Sequence, residues 1–235
     1  METKSKALVI LSGGQDSTTC FGKARQEFEE VHTVTFDYGQ RHSIEVQKAE
    51  VIAKELGSAS HETIELGDQI LKGTSPLISD NKVGQYDSAA ELPDGVEPTF
   101  VAGRNILFLT IAANRAHVLD IKNLYTGVCQ EDFAGYWDCR QSFIWEMEKA
   151  LSQGLYGNLT GMRIHTPLMD LTKKESVELA YNIFRKNFDS VFKLTHTCYN
   201  GIEGGCGKCH ACILRDRGFT EAGIEDPLWE LRANE

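Results

Sequence analysis

The chain has 235 residues, of which 41% are hydrophobic and 25% are charged, and this composition is that of a folded protein rather than a disordered one. Its 24 Lys and Arg against 34 Asp and Glu give a formal net charge of −10, which disfavours a dedicated nucleic-acid binder. No apolar run approaches the roughly 18 residues of a membrane span and no secretory signal is evident, so we expect a cytoplasmic protein without membrane contact.

Strand and helix patterns alternate along the first two thirds of the chain, which is typical of a parallel sheet covered by helices. Residues 7–11 are a continuous aliphatic run and predict a strand that is buried on both faces. Residues 31–36 and 61–66 predict the next two strands. Between them, residues 43–56 place their apolar side chains on one helical face. The pattern favours one α/β domain.

A segment without periodicity then interrupts the alternation. Residues 72–98 contain several Gly, Pro, Ser and Asp and predict a long loop or lid. Further helices are predicted from about Asn105, over residues 140–151 and after Thr172, where a Thr-x-x-Glu capping box occurs, and a strand over residues 123–128. The helix from Asn105 is predicted to face inward with Ile106, Leu109, Ala113 and Ala116.

A glycine-rich turn directly follows the first predicted strand, and residues 17–26 then predict a helix. We call this segment the glycine turn, and it consists of Ser12, Gly13, Gly14, Gln15, Asp16 and Ser17. Glycine N–H groups and the positive end of a helix dipole bind phosphate, so the pattern indicates a nucleotide site. It lacks the lysine of a Walker A loop. The alternative is a plain turn with a serine N-cap.

Asp16 carries the negative charge of the glycine turn. Because phosphate repels a carboxylate, Asp16 would face a nucleotide only through a bridging magnesium ion. The alternative is a capping role at the start of the helix.

Four of the seven cysteines lie close together near the end of the chain, with the spacing C-x7-C-x2-C-x2-C. They are Cys198, Cys206, Cys209 and Cys212. This spacing predicts a structural tetrahedral Zn²⁺ site, with an iron–sulfur cluster as the alternative. His210 could replace one thiolate, but we favour a solvent-facing loop position for it. Cys20, Cys129 and Cys139 are predicted to be buried thiols.

Five motifs follow one another along the chain: the glycine turn, YGQRH at 38–42, GRN at 103–105, DFAGYWDCR at 132–140, and TCYNG with the four-cysteine ending. Together they resemble the QueC family of 7-cyano-7-deazaguanine (preQ0) synthases, in the PP-loop ATP pyrophosphatase superfamily, over about residues 7–218. The resemblance implies a Rossmann-like adenine nucleotide α-hydrolase fold with a parallel sheet, a C-terminal zinc-binding segment and a homodimer. We expect an ATP-binding α/β domain at residues 1–190, with residues 191–235 as the zinc-binding segment packed on it.

The resemblance also implies an ATP-dependent carbon–nitrogen ligase of queuosine biosynthesis that uses ATP, Mg²⁺ and structural Zn²⁺. In that family 7-carboxy-7-deazaguanine is adenylated and ammonia displaces AMP to give an amide. A second activation then dehydrates the amide to the nitrile. Carboxylates need such activation because they would otherwise have to expel an oxide, and catalysis would depend on positioning and charge stabilisation.

Site residues are implied where the motifs match. The implied ATP-binding residues are Ser12, Gly13, Gly14, Asp16, Ser17 and Arg104. The implied catalytic residues are Asp16, Arg104, Arg41 and His42, and the last two could instead cap the following helix. The implied substrate-binding residues are Asp132, Phe133, Gly135, Tyr136 and Asp138. A carboxylate there would read the N–H edge of the deazaguanine and an aromatic ring would stack on it, with core packing as the alternative for the aromatic rings.

Three residues depart from the family pattern, and they leave the amine acceptor open. Ala102, Ala134 and Trp137 stand where the family has Pro, Ser and Pro. One alternative is therefore a QueC-like paralogue of antiphage defence, of the CBASS type, that transfers the activated deazaguanine to a protein amine and stops at the amide. Two further alternatives are a PP-loop tRNA thiolase and a non-enzymatic zinc interaction module. The thiolase would require an added basic RNA-binding domain.

Overall fold

The computed structural model describes residues 5–40, 42–73, 75–79, 81–93, 95–130 and 136–234. In this part of the chain, five parallel strands form one sheet in the order β3-β2-β1-β4-β5. The strands are β1 (Lys6–Ile10), β2 (Glu30–Asp37), β3 (His61–Glu65), β4 (Asn123–Tyr125) and β5 (Arg163–His165). The chain leaves β1 toward one edge and returns to the other side of β1 with β4. This doubly wound parallel sheet confirms the predicted Rossmann-like α/β class.

Seven α-helices lie in the described part of the chain. They are α1 (Gln15–Glu27), α2 (Ile44–Glu55), α3 (Arg104–Val118), α4 (Gln141–Tyr156), α5 (Lys173–Phe184), α6 (Phe188–Phe192) and α7 (His210–Ala222). The predicted capping box of α5 is confirmed, since the Thr172 side chain accepts the Glu175 N–H and Glu175 accepts the Thr172 N–H. None of the described helices is both long and apolar enough to span a bilayer.

The sheet is covered on both faces, which explains the aliphatic run of β1. Leu8 belongs to the hydrophobic cluster of α3 and α4, whereas Ala7 and Val9 belong to the cluster with Phe21 of α1. Successive β1 residues point to opposite faces, so Ala7, Leu8 and Val9 are all buried.

Two predictions about this half of the fold are wrong. Ile106 was expected to face inward but is 48% exposed, because it lies in the first turn of α3, where the neighbouring Asn105 borders a cavity rather than the core. The strand predicted over residues 123–128 ends at Tyr125, and Thr126 and Gly127 continue as a loop that borders the same cavity. The long loop at 72–98 is confirmed in its described residues, which contain one short 3₁₀ turn at Ala89–Glu91.

The end of the chain is attached through an aromatic cluster between α5, α6 and α7. Phe188 and Phe192 stack with their ring centroids 4.3 Å apart, and the Arg215 guanidinium lies 5.2 Å from the centre of the Phe219 ring. Arg215 makes a two-pronged ion pair with Asp226, with N–O distances of 2.7 and 2.8 Å, and both side chains are buried. This packing places residues 198–212, which contain the four clustered cysteines and which we call the cysteine segment, beside the glycine turn.

Candidate functional site

A concave site lies at the carboxyl ends of β1, β2 and β4, where the strand order of the sheet reverses. Ligands of open α/β sheets bind at this switch point. We call it the main cavity, and its volume is about 280 Å³. Two groups of side chains border it: Ser12, Gly14, Gln15, Asp16 and Ser17 on one wall, and Tyr38, Glu45, Arg104 and Tyr136 on the other.

The glycine turn is packed tightly against α2. Gly13 has φ +83°, and a Cβ there would lie 2.5 Å from the Glu45 carbonyl oxygen, so only glycine fits. The hydroxyl oxygens of Ser12 and Ser17 lie 3.1 Å apart and share a hydrogen bond. The N-cap of α1 is Gly14 without a side-chain hydrogen bond, so the alternative of a serine N-cap is wrong. The helix therefore presents its positive end to the cavity.

Asp16 has a partner that sequence reasoning missed. Lys173 Nζ lies 2.7 Å from Asp16 Oδ2, and both residues border the main cavity. Asp16 lies in the first turn of α1 after the cap, so it does not cap the helix. Lys173 is the first residue of α5, which starts after β5 at the same end of the sheet. Gln15, which precedes Asp16 in the chain, has a side-chain amide oxygen that is buried without a hydrogen-bond partner in the described structure.

Arg104 forms the centre of the opposite wall. It is the first residue of α3, and the N-cap before it, Gly103, has φ +78°, which favours glycine. Burial raises the pKa of the Tyr38 hydroxyl, and the positive charge of Arg104 acts in the opposite direction. Burial raises the pKa of Glu45 to about 7, and the charge of Arg104 acts in the opposite direction. Arg104 stays protonated throughout the physiological range, so the wall carries a permanent cation.

Tyr136 is held in place by a buried carboxylate in the long loop. Its hydroxyl is 2.7 Å from Thr99 Oγ1, and both the Thr99 hydroxyl and its N–H donate to Glu97. Glu97 is 1% exposed, and burial raises its pKa. Burial raises the pKa of Tyr136 as well. Sequence reasoning missed Glu97 and Thr99, which precede the GRN motif without any spacing that marks them.

The predicted substrate segment is only partly described. Tyr136 borders the main cavity, whereas Asp138 is buried behind it and does not border it. Burial raises the pKa of Asp138, and the Asn105 side chain donates to the Asp138 carbonyl oxygen at 3.4 Å. Trp137 is 60% exposed. The remaining residues of interest lie outside the described residues: Arg41, Asp132, Phe133, Ala134 and Gly135.

A second, smaller cavity of about 50 Å³ adjoins the main one, and we call it the small cavity. Its lining comprises Tyr38, Gln40, His42, Glu45, Leu77, Arg104, Cys198 and Tyr199. His42 borders this cavity but not the main one, and its Nε2 atom is buried without a hydrogen-bond partner in the described structure. A Cβ on Gly201 would overlap the His42 ring, so the imidazole lies directly on the backbone there.

The four predicted cysteines come together. Their sulfur atoms all lie within 4.8 Å of one another, and those of Cys206 and Cys212 are 4.0 Å apart. A tetrahedral Zn²⁺ with bonds of about 2.3 Å places its sulfurs about 3.8 Å apart, so the residues fit one such ion. Backbone N–H groups of Lys208 and Cys209 also donate to the Cys206 sulfur at 3.4 and 3.2 Å. The arrangement suits one ion better than a cluster, in which the thiolates bind different irons.

The prediction for His210 is wrong. It was expected on a solvent-facing loop, but it is the first residue of α7 and is 3% exposed. The reason is that the cysteine segment passes directly into a helix whose first turn borders the main cavity. Burial lowers the pKa of His210 to about 4. Of the isolated cysteines, Cys20 and Cys129 are buried as predicted, and Cys139 is partly exposed.

His196 joins the cysteine cluster to the glycine turn. Its backbone N–H donates to the Gly13 carbonyl at 2.8 Å, and its Nε2 donates to the Cys198 carbonyl at 2.9 Å. The ring is buried, which lowers its pKa and keeps the imidazole neutral. Sequence reasoning missed this link.

Comparison with known proteins identifies the family. A family model described as "Queuosine biosynthesis protein QueC" matches residues 6–223. A curated relative from Gloeobacter violaceus, called 7-cyano-7-deazaguanine synthase, is 60% identical over 227 residues, which are 97% of each chain. The chain belongs to the QueC family. The resemblance that the five motifs indicated is therefore confirmed.

Two solved structures are similar at a greater distance. One is a predicted subunit of tRNA methyltransferase from Methanocaldococcus jannaschii, 22% identical, with a TM-score of 0.48 over 74% of this chain and 73% of that one. The other is a 4-thiouridine synthetase–RNA complex with bound ATP, 20% identical, with a TM-score of 0.49 over 78% of this chain and 42% of that one. Neither likeness bears on the function of the QueC-family chain.

Proposed function

We propose that this protein is an ATP-dependent carbon–nitrogen ligase that converts 7-carboxy-7-deazaguanine into 7-cyano-7-deazaguanine. One observation carries the proposal: the main cavity brings an anion-binding helix start and the Arg104 cation together at the switch point of the sheet. The name of the Gloeobacter relative, at 60% identity, supports the choice of reaction.

The first step would be adenylation. A carboxylate oxygen of the deazaguanine attacks the α-phosphorus of ATP, and pyrophosphate leaves. Ser12 and Ser17 hydroxyls, the Gly13 and Gly14 amides and the start of α1 would bind the pyrophosphate. Asp16 would hold the magnesium ion of ATP, which would supply positive charge against the phosphates.

The cations on the two walls would stabilise this step. Lys173 lies 2.7 Å from Asp16 and adds charge on the side of the glycine turn. Arg104 faces it from the other wall, where it would neutralise the carboxylate or the α-phosphate. Catalysis then depends on positioning and on charge stabilisation, as expected for a transfer at phosphorus.

The second and third steps would build the nitrile. Ammonia attacks the acyl carbon of the adenylate, AMP leaves and a proton is released, which gives the amide. The amide oxygen then attacks a second ATP, and the oxygen departs as part of AMP while the nitrogen loses its two protons. Each nitrile therefore requires two ATP and yields two AMP and two pyrophosphates.

We further propose roles for the two ends of the site. Tyr136 would provide a ring surface for the deazaguanine, and Asp132, Phe133, Gly135 and Asp138 stay predictions, as does Arg41. The four cysteines would hold a structural Zn²⁺, which would supply a rigid anchor for residues 191–235 against residues 1–190. The homodimer that the family resemblance implies also stays a prediction.

To test this proposal, zinc-loaded protein is incubated with ATP, magnesium, 7-carboxy-7-deazaguanine and ammonium, and the products are identified by mass spectrometry. We expect the nitrile with two AMP per molecule. Adenylate without amide would contradict the use of ammonia and indicate another amine acceptor, and amide without nitrile would contradict the dehydration step of the synthase reaction. Absence of AMP would contradict the ligase chemistry altogether.

A further inference from the structure

The small cavity combines a small volume, a polar lining and a wall that it shares with the main cavity. We propose that it binds ammonia, the nitrogen donor of the amide-forming step, between His42 and Glu45. This inference depends on the proposed function, and it adds the place from which the nitrogen arrives.

The size of the cavity selects its ligand. A volume of about 50 Å³ exceeds the roughly 10–15 Å³ that a cavity must offer to hold one water molecule, and ammonia has the same number of heavy atoms. The cavity therefore has room for small molecules of this kind. A peptide amino terminus carries a Cα and a carbonyl next to its nitrogen, so it needs more of this space than ammonia does. The cavity thus favours ammonia over a protein amine.

The polar lining matches the hydrogen-bonding groups of ammonia, which has three N–H donors and one lone pair. Glu45 offers carboxylate oxygens as acceptors, and the Tyr38 hydroxyl offers another. Nε2 of His42 is buried and lacks a partner in the described structure, so it is available to a ligand in either tautomer. The Gln40 side chain already has hydrogen-bond partners. Its Oε1 atom accepts the Tyr38 N–H at 2.8 Å, and its Nε2 atom donates to the Phe36 carbonyl oxygen at 3.3 Å.

Three segments fix the cavity walls. His42 lies just before α2 and Glu45 lies in its first turn, and the His42 ring lies against Gly201, which is between Cys198 and Cys206 in the chain. Leu77 of the long loop, 8% exposed, provides an apolar wall. The positions of the two polar side chains therefore depend on packing between segments rather than on solvent.

The small cavity shares part of its wall with the main cavity. Tyr38, Glu45 and Arg104 border both spaces, as do Gln40 and Tyr199. Ammonia held there would be one side chain away from an acyl adenylate beside Arg104. The positive charge of Arg104 disfavours ammonium in this cavity and the Glu45 carboxylate favours it, and only neutral ammonia has the lone pair that attacks the acyl carbon.

The first experiment separates this site from the ATP site. For wild type, Glu45→Gln and His42→Ala, exchange of pyrophosphate into ATP without ammonium measures adenylation, and amide formation against ammonium concentration gives the KM for ammonium. We expect that KM to rise roughly tenfold or more in both variants, while exchange changes far less. The matched control is Glu50→Gln on the exposed side of α2, with an unchanged KM.

An unchanged KM for ammonium in both variants would mean that the cavity holds only water, and it would overturn the proposal. Equal losses of exchange and of amide formation would overturn it too, because the two residues would then serve the ATP site. Wild-type protein without exchange activity would contradict the proposed function itself, and the ammonia site with it.

A second experiment tests the size of the cavity and does not depend on how much of the variant folds. The wild type and Leu77→Ala each receive ammonium and methylamine as competing donors, and the ratio of amide to N-methylamide is measured. We expect the preference for ammonium to fall by about tenfold in Leu77→Ala, since the lost side chain makes room for a methyl group. An unchanged ratio would overturn the proposal.

Discussion

The two walls of the main cavity are built in different ways. One wall is the glycine turn, whose residues follow one another directly after β1. The opposite wall combines Tyr38, Glu45, Arg104 and Tyr136, which come from four separate segments of the chain. The first wall depends on local backbone conformation, whereas the second depends on packing between distant segments. Substitutions should therefore act differently on the two, and four predictions, in order of decreasing effect, test this.

Removal of the metal from the cysteine cluster should have the largest effect, because His196 connects that cluster to the Gly13 carbonyl. We expect the melting temperature to fall by about 10 °C or more, and ATP affinity to fall as well. Calorimetry and ATP titration of chelated and zinc-reloaded protein measure both. Unchanged ATP affinity in a destabilised protein would show that the glycine turn is independent of the cluster.

Arg104→Ala should act on the wall that is built from distant segments of the chain, without unfolding the protein. We expect pyrophosphate exchange to fall by roughly 10²–10³-fold, as for loss of one group that stabilises transition-state charge. Arg115→Ala, on the same helix, is the matched control, because Arg115 is partly exposed and pairs with Glu62 rather than bordering the main cavity, and its exchange activity should stay within a factor of about two of wild type. A loss in both variants would indicate damage to α3 instead.

Gly13→Ala should act on the wall that the glycine turn forms. The substitution adds strain at a positive φ and a contact of 2.5 Å with the Glu45 carbonyl, so we expect a loss of about 2–4 kcal/mol in the free energy of unfolding. Gly67→Ala is the control, because Gly67 has φ +72° but nothing within 4 Å of an added Cβ. It should lose only about 1 kcal/mol. Equal losses in denaturant unfolding would mean that close packing on α2 does not matter.

Glu97→Gln should have the smallest effect, and it should depend on pH. Burial raises the pKa of Glu97 above its unfolded value, so the folded state binds the proton more tightly. The stability that this group contributes is complete below the unfolded pKa and is lost as the pH rises through the folded pKa. We therefore expect the wild type to lose stability relative to Glu97→Gln on going from acid to neutral pH. Parallel stability curves would contradict this.

The sequence predicted the local features well. The strands and most helices follow from hydrophobic periodicity, and the glycine turn and the cysteine spacing mark contiguous groups. Arg104 was identified because it lies in a motif. Lys173, His196 and Glu97 were missed because each acts through a partner that is distant in the chain or through a side chain buried by tertiary packing. His210 was misplaced for the same reason, since its burial depends on how α7 meets the cavity.

The most direct test of the central claim follows the carboxylate oxygens. Substrate labelled with ¹⁸O in both carboxylate positions is converted with ATP, magnesium and ammonium, and the AMP is analysed by mass spectrometry. If the carboxylate and then the amide are adenylated, each nitrile yields two AMP molecules that each carry one ¹⁸O. Unlabelled AMP, or ¹⁸O in orthophosphate, would show that the oxygens leave by another route and would contradict the account.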